Sequence, residues 1–246
     1  GEVVRFYITN AANARPFNLA IPGATMKLVG GDNGRYEQER IVESALLNPS
    51  ERAIVEVFFE KSGTFRLEHQ TPDKTYLLGT IIVSGATINQ SYIDQFQIHR
   101  DNKELQNEVL VLGSKIDGQV DKRLRLGLSM QGMGMMQQQA GGHDMHMMGS
   151  GAVMQNDIMT ADQIQKIEWE DDMGMMNTMS NSEMVKWQLI DEGTDKVNED
   201  IDWKFQVGDM VKISIFNEPK SQHPMQHPIH FHGQRFLLLS TNGVKN

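Results

Sequence analysis

The stretch "GEVVRFYITN", residues 1–10, alternates apolar and polar side chains through Val4, Phe6 and Ile8, with no helical spacing and no capping residue ahead of it. Successive side chains of a strand point to opposite faces, so this is the pattern of a half-buried β-strand. The same pattern recurs outward along the chain. "FNLAI" (17–21), "TMKLVG" (25–30), "AIVEVFF" (53–59), "GTFRLEH" (63–69) and "GTIIVSG" (79–85) repeat Val, Ile, Phe and Tyr at period two, separated by Gly, Pro, Asn and Asp. Short strands punctuated by turn residues predict an antiparallel β-sandwich, and the fold class expected is all-β.

Residues 91–117, "SYIDQFQIHRDNKELQNEVLVLGSKID", break this pattern. They are more polar, and Leu105, Val109 and Leu112 fall on one side of a short helix, so a helical linker is expected over about 89–118. "DKRLRLGLSM" (121–130) alternates again and opens a second β-unit, to which "MVKWQLID" (184–191) and "DWKFQVGDMVKISIFNE" (202–218) add further expected strands. The organisation read from the sequence is therefore a β-unit over 1–88, the linker, and a second β-unit over 119–246. Gly1 enters the first strand without a leader, and "RFLLLSTNGVKN" (235–246) ends on an Asn-Gly turn whose return strand is expected to be missing. Both ends read as cut.

The bulk numbers exclude several function classes. The chain has 246 residues, 39% of them hydrophobic, which is enough for a sizeable core. A net charge of -9 repels nucleic acid and anionic lipid, so no nucleic-acid partner is expected. Apolar runs such as 53–59 and 236–239 are far short of the roughly 20 residues of a spanning helix, so no membrane span is expected either. With zero cysteines there are no disulfides, no thiolate nucleophile and no Cys-type zinc site.

Composition shifts between Met130 and Met184, which hold fourteen of the 17 methionines. The densest part is "MQGMGMMQQQAGGHDMHMMGSG" (130–151), whose Gly and Gln leave too little branched apolar bulk for a core. A mobile methionine-rich insertion is expected over about 130–160. Thioether sulfur is a soft ligand suited to Cu(I), and Met133, Met135, Met136, Met145, Met147 and Met148 lie close to His143 and His146. Methionine also serves as flexible filler, and that reading is preferred for "MVKW" and for Met210 at strand positions. The acidic residues of "IEWEDDMGMM" (167–176) suit a cationic substrate or simply a solvated face.

Chemistry concentrates in "HPMQHPIHFHG", residues 223–233, which holds four of the eight histidines. Along a strand His230 and His232 share a face, an arrangement that holds one metal or two adjacent ones. His227 is an odd number of positions from both and is followed by Pro228, which marks a strand start or an edge, so it is expected to aim at a different centre. Met225 lies two residues before His227 and is expected near the same centre, where it could pass an electron or a cuprous ion toward that histidine. His223 is open between ligand and surface residue, and His69 and His99 stand alone as structural histidines. A cupin-type metal strand would need a glutamate soon after the pair, where this chain has Gln234, Arg235 and Phe236.

"HPIHFHG" resembles the first ligand motif in the last cupredoxin domain of the multicopper oxidases, the laccase and copper-resistance oxidase family. "GEVVRFYITNAANARPFNLAI" through "MKLVGGDNGRYE" is similar to the later half of that family's central domain, and "DWKFQVGDMVKISIFNEP" to the strand pair before the third-domain ligands. The resemblance implies cupredoxin-like Greek-key sandwiches, with copper as type 1, type 2 and type 3 centres. It implies His227 as a type 1 ligand, and His230 and His232 as ligands of the trinuclear cluster. It further implies one-electron oxidation of Cu(I) or a small phenolic reductant, reduction of O2 to two waters, and a periplasmic or extracellular place. The family's His-Cys-His motif and its first-domain histidines do not occur here, so the remaining oxidase segments are expected as partners. The alternative is a non-catalytic copper-binding cupredoxin-like protein that keeps one histidine motif.

Overall fold

Residues 2–9 form the first strand of a four-stranded sheet, as their alternation requires. The computed structural model describes residues 1–86, 88–130, 167–170, 185–218 and 226–245. These fall into two units: residues 1–114 with 228–245, and residues 115–130 with 167–170, 185–218 and 226–227.

In the first unit, β1 (Glu2–Thr9), β6 (Arg52–Phe59), β3 (Thr25–Gly31) and β4 (Gly34–Val42) make one antiparallel sheet in the order β1-β6-β3-β4. A second sheet follows the order β5-β2-β7-β8, from β5 (Ala45–Leu47), β2 (Phe17–Ala20), β7 (Gly63–Gln70) and β8 (Thr75–Val83). The sheets pack face to face: Met26, Leu28, Ala53, Val55, Val57 and Phe59 of the first meet Leu19, Ala45 and Leu47 of the second in one buried cluster. The odd positions of β6 supply this core, as period two demands. The fold class is the expected one, all-β.

Two strands were not legible. β4 reads "GRYEQERIV" and carries four charged residues, while β5 has three residues. β4 joins β3 through a turn at Asp32 and Asn33, beside a bulge between Leu28 and Gly30. Here the backbone crowds itself, and a Cβ added to Gly30 would lie 2.5 Å from the Gly34 carbonyl oxygen. Gly30→Ala should therefore cost about 1–3 kcal/mol of unfolding free energy by urea titration, because backbone rather than a flexible side chain must yield.

The expected helix is α2 (Lys103–Gly113), capped by the Asn102 side chain, which accepts the Leu105 N–H at 3.3 Å. Leu105, Val109 and Leu112 lie on its half-buried side, while Leu110 and Val111 are exposed. A shorter helix, α1 (Ile93–Gln97), was not foreseen; its Phe96 is buried and its ring lies 5.8 Å from that of Phe58 on β6. α1 thus covers the outer face of the first sheet.

That cover explains a lysine with no exposure. Lys27 on β3 pairs in register with Glu56 on β6, and Glu56 pairs in register with Arg5 on β1. The Lys27 ammonium lies 2.9 Å from Glu56 and 3.3 Å from Glu39, donates to the carbonyls of Phe96 and Ile98 at 2.9 and 3.3 Å, and sits over the Phe96 ring. Arg5 and Arg100 complete the row by bonding Glu56 and Glu39. A fully buried ammonium is tolerated because every proton has an acceptor.

In the second unit, β9 (Lys122–Met130) runs between β10 (Val185–Asp191), antiparallel, and β11 (Ile213–Asn217), parallel. Of the expected strand pair over 202–218 only β11 forms. Residues 201–212 are irregular, with Phe205 and Val207 exposed, and Met210, expected at a strand position, lies in no strand and is 57% exposed. Asp191 closes the β10 turn by accepting from the Thr194 hydroxyl, the Trp203 indole N–H and the Gly193 N–H, and these bonds hold its carboxyl below the usual carboxylate range.

The Asn-Gly turn behaves as expected, but its return strand is present. β12 (Ser240–Thr241) and β13 (Val244–Lys245) pair across Asn242 and Gly243, both with positive φ of 53° and 79°, as a two-residue hairpin needs. The expected insertion over 130–160 lies outside the described residues beyond Met130.

Candidate metal centre

His227 is half-buried, and the edge strand β10 supplies its neighbour. The rings of His227 and Trp187 meet edge to face, with centroids 5.6 Å apart at 78°. Trp187 stands opposite Leu128 of β9, and its carbonyl accepts from the Asn198 side chain at 3.1 Å. The same side chain accepts the Leu189 N–H at 2.7 Å. Asn198 has a φ of +51°, a conformation asparagine adopts more readily than most residues. Gln226, immediately before His227, accepts from the Glu168 N–H at 3.2 Å and donates to the Glu168 carbonyl at 3.0 Å. The buried Trp169 follows on that short segment.

His230 and His232 belong to the first unit and are exposed. They were expected on a paired strand; instead residues 226–231 belong to no strand, and His232 enters a turn with Gly233 at φ +75°. The turn is closed by Phe231 and Phe236, whose rings pack at 5.4 Å, and its far side is tied by Arg235 to Glu108 of α2 at 2.6 Å. With Phe231 engaged in that contact, the two flanking imidazoles lie together, their centroids 4.8 Å apart at 84°. Two imidazoles that close offer neighbouring donors to a metal or to two adjacent metals.

The other candidates divide simply. Met133, Met135, Met136, His143, Met145, His146, Met147, Met148, His223 and Met225 lie outside the described residues. His69 is buried at 3% exposure, accepts the Asn18 N–H at 3.1 Å through Nδ1 and stacks on Tyr76, so it is structural as expected. Sequence reasoning passed over Trp187, Asn198 and Gln226. Trp187 was set aside with its strand, and the only sequence signal for Asn198 and Gln226 was an amide beside a turn and beside a histidine.

Imidazole is a good donor for copper, so the three motif histidines fit that metal. Among the described residues no three His, Cys, Asp or Glu side chains gather into a ready cage. The motif thus offers three imidazoles, and the 246 residues include no cysteine.

Residues 168–246 match the family model of the multicopper oxidases. No curated protein matches the chain. Among solved structures, a laccase-like multicopper oxidase of Ochrobactrum sp. is 28% identical over 37% of this chain and 21% of its own, with a TM-score of 0.34. A Campylobacter jejuni multicopper oxidase, described as a metallo-oxidase, is 24% identical over 52% of this chain and 26% of its own, with a TM-score of 0.33. The Aquifex aeolicus multicopper oxidase McoA is 20% identical over 51% of this chain and 28% of its own, with a TM-score of 0.38. In each case the match spans between a fifth and a third of the solved enzyme.

Proposed function

From residues 168–246, which are of the multicopper oxidase family, we propose that the chain is part of a copper-dependent oxidase, with 1–88 from its central and 119–246 from its last cupredoxin domain. The observation that carries this reading is the motif His227-Pro-Ile-His230-Phe-His232 inside the matched segment. His227 serves the type 1 copper, and His230 and His232 serve the trinuclear cluster. The odd spacing of His227 from the pair and the even spacing within the pair support that division of labour. The metal, when bound, supplies one-electron oxidation at one centre and four-electron reduction of O2 to water at the other. What this chain contributes is orientation: a half-buried imidazole packed on Trp187, and two exposed imidazoles held side by side by the turn at Gly233. The thiolate and the other histidines come from further segments of the oxidase.

The reductants proposed are Cu(I) and small phenols. Met133 to Met148 with His143 and His146, together with Met225, would collect cuprous ion through soft sulfur donors. A periplasmic or extracellular place is proposed with this function; among the described residues no helix is long and apolar enough to cross a membrane.

Ligand variants of the copper-loaded oxidase test the assignment. His227→Ala should abolish the intense blue absorption of the type 1 thiolate site. His230→Ala or His232→Ala should keep the blue colour, lose O2 reduction and lower the copper content. Loss of blue colour in all three variants, or in none, would overturn it. Deleting residues 130–148 should weaken cuprous oxidase activity while oxidation of organic dyes persists, and equal loss of both would remove the methionines from the substrate site. The absence of cysteine from the 246 residues is what the second reading, a non-catalytic copper-binding protein, also requires. Copper bound without oxygen consumption in the presence of every other oxidase segment would favour it.

A further inference from the structure

We propose that Trp187 is a positioning residue for the His227 imidazole, and that Asn198 holds Trp187 in place; this deepens, and rests on, the assignment of His227 as a copper ligand. A ligating histidine is useful only when its ring is turned so that one nitrogen faces the metal, and the residues around it fix that rotation. An edge-to-face ring contact at 5.6 Å restricts both side-chain torsions of His227.

Trp187 is 47% exposed, so packing alone grips it loosely. Its backbone is held from both edges of β10. β10 is an edge strand of its sheet, with β9 on one side only. On the open side the Asn198 carboxamide takes the place of the next strand, accepting the N–H of Leu189 and donating to the carbonyl of Trp187. A carboxamide offers the same donor and acceptor pair as a peptide group, so it can dock on a strand edge through both at once. The left-handed backbone of Asn198 aims the amide back at the strand. On the other flank Gln226 repeats the device, exchanging two hydrogen bonds with the Glu168 backbone next to His227. One side-chain amide thus pins the strand that carries Trp187, and another pins the residue before His227.

Two measurements test this. In the 246-residue chain, NMR of the His227 ring protons reads the contact directly: Trp187→Ala should move their shifts, Trp187→Phe should return them toward the wild-type values, and Asn198→Ala should move them in the same direction as Trp187→Ala. In the copper-loaded oxidase, Trp187→Ala should change the type 1 copper hyperfine coupling and reduction potential, with Trp187→Phe again restoring them. Spectra and potential that stay at wild-type values in Trp187→Ala and Asn198→Ala, while His227→Ala abolishes the blue site, would overturn the positioning role alone. A blue site that survives His227→Ala would overturn the ligand assignment beneath it. A purely structural role predicts that Phe fails to restore the hyperfine coupling, and that outcome also counts against the proposal.

Discussion

Lys27→Met is expected to lower the unfolding free energy of the first unit by about 3–5 kcal/mol, the usual cost of removing one partner from a buried charge network. The side chain has 0% exposure, and its loss leaves Glu56 and Glu39, themselves 10% and 3% exposed, with diminished compensation. Arg5 and Arg100 keep their hydrogen bonds to these carboxylates, which is why the loss stops short of unfolding the unit outright. The carbonyls of Phe96 and Ile98 also lose their donor, so α1 should loosen from the sheet. Urea titration gives the free energy, and amide exchange at residues 93–100 should rise more than exchange in β7. A loss under 1 kcal/mol would show that methionine packing replaces the network.

The network also sets a pH trend. Burial alone would raise the Glu56 carboxyl, but the bonds from Arg5 and Lys27 outweigh it and hold the group below its ordinary value. A depressed carboxyl contributes stability that is present above its unfolded value and is lost as acid protonates the folded state.

Glu51 works in the opposite sense. It follows the turn Asn48–Ser50, and burial pushes its carboxyl up to about 7, with Asp32 adding repulsion and the short bond from the Asn48 N–H opposing both. Between its ordinary value of 4.5 and about 7 the folded chain holds a proton that the unfolded chain has released, so this group's contribution to stability falls as pH rises. Glu51→Gln keeps an oxygen for the Asn48 N–H and cannot ionise. Relative to wild type it should be near neutral at about pH 4 and more stable by about 3 kcal/mol at about pH 8, the equivalent of a shift from 4.5 to about 7. Taking the difference between the two proteins cancels Glu56 and every other group they share. A difference that does not change with pH would remove Glu51 as the cause.

The charge row shows where sequence reading stopped. In "TMKLVG" Lys27 alternates with Met26 and Leu28, which places it on the outer face, and it is on that face. What the alternation could not show is that α1 lies over it, because α1 has five residues and is stabilised by Phe96 docking rather than by its own periodicity. β4 hid for a related reason: its Glu and Arg side chains are polar by composition, yet Glu39 is buried by partners on β3 and after α1. β1 and β7 were legible because Val4, Phe6 and Ile8 in the one, and Phe65 and Leu67 in the other, recur at every second position.

The geometry of the motif was only partly legible. The spacing of His230 and His232 put their rings together, and they are together, but through a turn closed by Phe231 and Phe236 rather than through a sheet ladder. Trp187 was read as a strand residue, which it is, and nothing in the local pattern marks its contact with a histidine 40 positions away.

The central claim is that His227 serves one copper centre and the pair His230 and His232 another. An anomalous difference map collected on both sides of the copper absorption edge, on crystals of the copper-loaded oxidase, tests it most directly. Separate peaks are expected, one against the His227 imidazole and at least one against His230 and His232, with ligands from other segments completing each shell. A single copper shared by all three histidines, or none at either place, would contradict it.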